Sequence, residues 1–157
     1  MKEKIDAVDR QLLELLQKSS DLSVNELAAA VHLTPTPCWR RVQRLRELGF
    51  ISRQVALVDR QKVNVGVTVF VSLRTQVHDL PWLEKFRSAV QDIPEIVEVY
   101  RMSGDVDYLL RVVVPDIAAY DQVYKQLIQR MPLSDVSSSF AMEELKYTTA
   151  VPLSYAL

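Results

Sequence analysis

The stretch SVNELAAAVHLTPTPCWRRVQRLRELGF, residues 23–50, decides how the rest of the chain is read. Its first four residues form a capping box. The Ser23 hydroxyl accepts from the Glu26 N–H and the Glu26 carboxylate returns to the Ser23 N–H, so a helix starts there. Val24, Leu27, Ala28 and Val31 then fall at i, i+3, i+4 and i+7 and predict one apolar face over 23–32. After a break at His32-Leu33 another helix begins, with Thr34 or Thr36 as its N-cap. A proline follows each threonine, where a missing N–H costs little. Cys38, Val42 and Leu45 make the buried stripe of this helix, and Gly49 ends it. Upstream, Ile5, Val8, Leu12, Leu15 and Leu16 predict a helix over 5–18. Three short helices, the last two joined by a tight turn, make a helix-turn-helix.

The charge pattern singles out the third helix. Net charge is −1, with 9 Lys+Arg against 7 Asp+Glu in residues 1–53 and 10 against 13 in 54–157. Within 34–50, four arginines (Arg40, Arg41, Arg44 and Arg46) face one glutamate. The second helix of a helix-turn-helix is the element that enters the DNA major groove. Guanidinium forks pair bidentately with guanine or with phosphate. Thr34, Thr36, Trp39, Arg40, Arg41, Gln43, Arg44 and Arg46 are therefore the candidate contacts to double-stranded DNA. Thr36, Trp39 and Arg40 lie deepest if the helix enters by its N-terminus, and Arg44 and Arg46 are placed for phosphate. A solvated helix face is the alternative for the arginines, and packing against neighbouring helices is the alternative for Trp39.

At 157 residues the chain makes one ordinary domain or two small ones. Hydrophobic residues are 48% and charged residues 25%, enough for packed cores. No apolar run approaches ~18 residues, and the start MKEKIDAVDR lacks the apolar core of a signal peptide. The single cysteine, Cys38, permits no disulfide within the chain and fits a small packed hydrophobe. A cytoplasmic location without membrane contact is expected.

Residues 52–65 are polar and weakly alternating, which predicts a linker strand between a domain over 1–51 and a second over 66–157. The second domain repeats itself. VTVFVSLR, DLPWLEKFRSAVQD and IVEVYRM read as strand, helix and strand, and so do DYLLRVVVP, DIAAYDQVYKQLIQRM and DVSSSFAMEELKY. Both helices end in an apolar residue and a proline, Ile93-Pro94 and Met131-Pro132. Two βαβ halves predict a ferredoxin-like βαββαβ unit. The expected fold class is therefore α+β, with an N-terminal helix-turn-helix, winged-helix-like domain followed by that unit. Ile117, Tyr120, Tyr124, Leu127 and Met131 form the stripe that covers the sheet. The other sheet face would expose Phe70, Val112 or their neighbours, and an apolar patch of that size marks an interface. Two such faces packed together make a C2 homodimer, with two groove helices for a two-fold DNA site.

RMSGDVDYLL, residues 101–110, connects the central strands. Gly104 permits a positive φ at a tight turn, and Asp105 and Asp107 bracket the same turn. Ordinary Gly-Asp turn chemistry explains this composition. The functional alternative is a site for a free amino acid, whose carboxylate meets the N–H groups of Gly104 and Asp105 and whose ammonium meets an aspartate. Ser137, Ser138 and Ser139 would add hydroxyls. Enzyme signatures are missing: His32 and His78 are far apart and outside any metal-ligand spacing. No Gly-rich phosphate loop or G-x-S-x-G is present. Neither catalytic residues, nor a metal, nor a cofactor is expected.

DRQLLELLQKSSDLSVNELAAAVHLTPTPCWRRVQRLRELGFI, SGDVDYLLRVVVPDIAAY and FAMEELKYTT together resemble the Lrp/AsnC family of bacterial transcription regulators, over essentially the whole chain. The resemblance implies a homodimer that assembles further into an octamer and binds an amino acid between dimers. The effector residues it implies are Met102, Ser103, Gly104, Asp105, Asp107 and Tyr108, with Ser139, Phe140 and Ala141. It implies that the amino acid alters assembly or DNA bending and so regulates amino-acid metabolism. TPTPCW and KYTT look closest to a subgroup associated with cysteine or other small apolar amino acids. SSSF is more polar than the aliphatic residues that leucine-responsive members carry there. The expected function is a sequence-specific regulator tuned by a small amino acid. Its rivals are an effector-independent protein that wraps DNA, and an enzyme built on the ferredoxin-like scaffold.

Overall fold

A computed structural model of the chain describes residues 4–156. The chain forms two compact units. One takes in the chain through Leu57 together with the segment from Lys146 onward; the other is Val58–Leu145.

The first unit holds α1 (Ala7–Lys18), α2 (Val24–Ala30) and α3 (Pro35–Glu47). α1 starts two residues later than apolar spacing predicts, because Asp6 caps it. The Asp6 carboxylate accepts from the Asp9 N–H at 2.8 Å, and the Asp6 N–H donates to the Asp9 carboxylate at 3.3 Å. This is a capping box built with aspartate. α2 starts on the Ser23–Glu26 box that the sequence predicts. His32 then takes the left-handed conformation, φ 56°, and the Leu33 N–H donates to the Ala28 carbonyl at 2.9 Å. That reversal satisfies an end carbonyl of α2 and turns the chain. α3 opens with Thr34 as cap residue and Pro35 at its first position, though the Thr34 hydroxyl makes no capping bond. Gly49, at φ 77°, follows its C-terminus. Leu12, Leu27, Ala28, Val31, Cys38, Val42 and Leu45 close into one core.

In the second unit β1 (Val67–Arg74), α4 (Leu80–Gln91), β2 (Ile96–Arg101), β3 (Tyr108–Val114), α5 (Ile117–Arg130) and β4 (Asp135–Phe140) follow in βαββαβ order. The sheet order is β2-β3-β1-β4, with every neighbouring pair antiparallel. Alternate residues Val69, Val71 and Leu73 of β1 and Leu110, Val112 and Val114 of β3 face a core with Trp82, Phe86, Tyr120, Val123 and Leu127. The strand period puts Phe70, 41% exposed, on the opposite face beside Arg111 and Ser139.

Four expectations need correcting. Val112 lies on the core face, not the bare one, because it is in phase with Leu110 and Val114. On α5 Tyr120, Val123 and Leu127 are buried and Tyr124 is partly buried against the same core, with Met131 buried just after the helix, while Ile117 is exposed in the first turn. Residues 52–65 form no strand; residues 60–64 turn, with Asn64 at φ 59°. A lone extended segment lacks the cross-strand partners that would satisfy its backbone. Finally, β4 stops at Phe140 instead of running to Tyr147. Phe140 pairs with Val69 and the Ala141 N–H reaches the Thr68 carbonyl, so β1 has almost no residues left to pair with. The chain beyond it joins the first unit.

Candidate nucleic-acid interface and ligand site

α3 presents three kinds of surface. Cys38, Val42 and Leu45 are buried, and burial pushes the Cys38 thiol above its usual pKa. Thr34, Thr36, Trp39, Arg40, Arg46 and Glu47 are exposed, and Gln43 is half-buried. Trp39 remains 51% exposed, so packing between helices does not account for its ring. The third surface, Arg41 and Arg44, meets α1.

That third surface changes the charge account. Arg41 Nη1 lies 2.6 Å from Asp6 Oδ2 and 2.8 Å from Asp9 Oδ1. Arg44 Nη1 lies 3.1 Å from Asp9 Oδ2, and its Nη2 donates to the Lys4 carbonyl at 3.3 Å. Asp9 is a carboxylate with 1% exposure, so two guanidinium partners offset a large desolvation cost. Two of the four arginines are thus neutralised by two aspartates across the helix pair. Arg46 donates to the uncharged Gln54 side chain at 2.7 Å. Arg40 has no hydrogen bond or ion pair among the described residues. The outward positive charge rests on Arg40 and Arg46. The acidic partners of Arg41 and Arg44 lie 32 to 35 positions away, and the signal that locates them is the Asp6-x-x-Asp9 box.

In the second unit the turn after β2 has the geometry that Gly104 predicts, with φ 112°. The Met102 N–H donates to the Asp107 carbonyl at 2.8 Å, and the Asp107 N–H to the Leu73 carbonyl at 3.0 Å. The Asp107 side chain accepts from the Thr75 N–H at 2.8 Å, so it fastens the turn to the end of β1. Ser103 and Asp105 are exposed. Tyr108 is buried and its ring lies 5.5 Å from Trp82 and 4.6 Å from Phe86, centroid to centroid. The Phe140 ring meets Tyr120 edge-on at 5.4 Å, and the Tyr120 hydroxyl bonds to Ser138. Ser137 and Ser139 point to the face without helices.

The nine candidate effector residues do not converge within one chain. The turn 102–107 sits beside Leu73, whereas Ala141 bonds to Thr68 at the other end of β1. These levels are five residue steps apart along β1, about 17 Å at ~3.4 Å per residue. Sequence spacing also misses a groove of about 490 Å³ between α4 and β2, lined by Phe86, Val90, Ile96, Val99, Arg101 and Tyr108 among others. Among the described residues no cluster of three His, Cys, Asp or Glu side chains is arranged to hold a metal ion, and no helix is long and apolar enough to cross a membrane.

A helix-turn-helix with a basic outward face, joined to a βαββαβ unit, defines a two-domain transcriptional regulator with its own ligand-binding domain. The model of the AsnC-type helix-turn-helix domain matches residues 5–46, and that of the Lrp/AsnC ligand binding domain matches 68–151. The chain belongs to the Lrp/AsnC family. Over 150 residues it is 48% identical to the DNA-binding transcriptional activator DecR of Escherichia coli (strain K12), covering 95% of this chain and 99% of that one. An AsnC family transcriptional regulator from Agrobacterium tumefaciens superposes with a TM-score of 0.95 at 58% identity, over 98% of this chain and 100% of the other. A Neisseria meningitidis transcriptional regulator, solved as its L-Met complex, superposes with a TM-score of 0.92 at 31% identity, over 96% and 98%.

Proposed function

We propose that this protein regulates transcription by laying α3 in the major groove of a specific double-stranded DNA site, and that a free amino acid tunes that binding. The outward face of α3 carries the proposal: an exposed tryptophan and an unpaired arginine stand one turn inside the helix N-terminus. Arg40 and Gln43 supply donors to base edges, Trp39 an apolar face for a thymine methyl or a sugar, and Arg46 with Thr34 and Thr36 phosphate contacts. Arg41 and Arg44 approach the backbone from the ion-paired flank.

For the effector, the exposed Asp105 carboxylate takes the ammonium and the Gly104-Asp105 N–H groups take the carboxylate. Asp107 holds the turn in shape. Ser139 and Ala141, about 10 and 17 Å away along β1, serve a site completed by a second copy of the chain. This reading supports a homodimer paired through the bare sheet face around Phe70, and an octamer of such dimers. The L-Met complex of the Neisseria regulator supports an amino acid with an apolar side chain. Calorimetry with each of the twenty amino acids tests the reading. One or a few should bind, and Asp105→Ala should weaken them about 10- to 100-fold, the worth of a charge-assisted hydrogen bond. Silence from all twenty would leave an effector-independent DNA-wrapping protein.

A further inference from the structure

The segment after β4 leaves the ligand-binding unit and ends on the helix-turn-helix unit. We propose that residues 141–156 are a second tether by which the ligand-binding unit acts on the helix that positions α3; the inference rests on the regulatory reading above.

Three observations carry it. The first is the dock. Gln17 of α1 donates to the Val151 carbonyl at 3.2 Å and accepts from the Val151 N–H at 2.7 Å. One side-chain amide thus satisfies both polar groups of one residue, as a neighbouring strand would. Arg10 donates to the Ala156 carbonyl at 3.0 Å, and Leu153 and Ala156 pack against the core that holds Leu12 and Leu45.

The second observation is what α1 carries besides the dock. Asp9, next to Arg10, binds the guanidinium groups of Arg41 and Arg44. A displacement of α1 therefore reaches α3 through the ion pairs on the buried Asp9 carboxylate.

The third is where the tether starts. Ala141, in the candidate effector set, donates to the Thr68 carbonyl, and three residues later Glu144 pairs with Arg60 at 2.9 Å. Arg60 also donates to the Thr68 hydroxyl at 2.6 Å. Both chain connections between the units, at 57–58 and at 145–146, thus leave from beside one Arg60–Thr68–Glu144 cluster. Between Phe140 and Leu153 the segment has no regular secondary structure.

Inserting six Gly/Ser residues between Leu145 and Lys146 adds roughly 13 Å of slack and leaves the dock and the sheet intact. The full-length variant is compared with the native chain by calorimetry and by DNA affinity, with L-methionine and with each other amino acid alone. The insertion should leave amino-acid binding unchanged and DNA affinity without amino acid within about twofold. The change in DNA affinity that the amino acid causes, of the usual allosteric size of about 5- to 150-fold, should fall below about twofold. Gln17→Leu, which removes both hydrogen bonds to Val151 and leaves the Arg10–Ala156 bond and the Leu153 packing in place, should reduce that response in part. An insertion variant that keeps the full response overturns the tether alone. A native chain whose DNA affinity no amino acid moves overturns the proposed function and the tether with it.

Discussion

Asp9 and Arg40 are the two extremes of charge in the first unit, one buried in ion pairs and the other exposed with no partner among the described residues. Asp9 is buried against two guanidinium groups, so Asp9→Ala leaves both without their shared partner. The arginines are one-third to one-half exposed and water compensates in part; the expected cost is about 2–3 kcal/mol, seen as a lowered thermal midpoint. Arg40→Ala removes an outward charge without internal partners. It should leave the midpoint unchanged, weaken DNA binding and reduce the salt slope of log K by ~0.9 if one phosphate contact is lost. A native slope and affinity in Arg40→Ala would remove the proposed groove face. Residue spacing along the sequence ranks the four arginines by depth in the groove but shows none of them ion-paired. Only the fold shows that two of them are neutralised, because the acids that do so, Asp6 and Asp9, belong to the start of α1.

At the scale of elements, caps and apolar spacing set most boundaries. The Ser23–Glu26 box, the Cys38–Val42–Leu45 stripe and the order of strands and helices are local patterns, and the sequence displays them. Gly49 is local too: at φ 77° it adopts a backbone that L side chains resist, and a Cβ there meets nothing within 4 Å. Gly49→Ala should therefore cost about 1–2 kcal/mol by backbone strain alone, measured by denaturant unfolding. An unchanged midpoint would mean that the α3 terminus relaxes freely. The non-local features were not legible. The length of β4 depends on where its partner β1 begins. The choice of Val123 over Ile117 for the core depends on which turn of α5 the sheet covers. The landing of the tail on α1 depends on Gln17 and Arg10, which look like ordinary surface residues in a linear reading. The candidate effector set shows the same divide: the turn geometry at Gly104 follows from composition, while its distance from Ala141 follows from strand register.

Across the molecule, each unit carries carboxylates that the native state holds ionised. The Asp9 N–H and the Arg41 guanidinium keep Asp6 below the ordinary carboxylate range, the Ser23 hydroxyl and N–H do so for Glu26, and Arg111 and Tyr100 do so for Glu98. Lowered native pKa values mean that the unfolded chain binds more protons, so stability is full at neutral pH and drains as acid protonates these groups. The thermal midpoint should fall steadily below about pH 4.5; a midpoint that rises on acidification would contradict the assigned partners. The two units also join the two halves of the function, a basic helix for DNA and a sheet unit for a small ligand.

The most direct test of that union is selection of sheared genomic DNA from the protein's own organism on the full-length chain, sequenced with and without a pool of free amino acids. The account predicts recovery of a few promoter fragments that share a two-fold motif, with yields that change when the pool is added. Uniform recovery of all fragments, unmoved by amino acids, would contradict it and show that α3 grips phosphate alone.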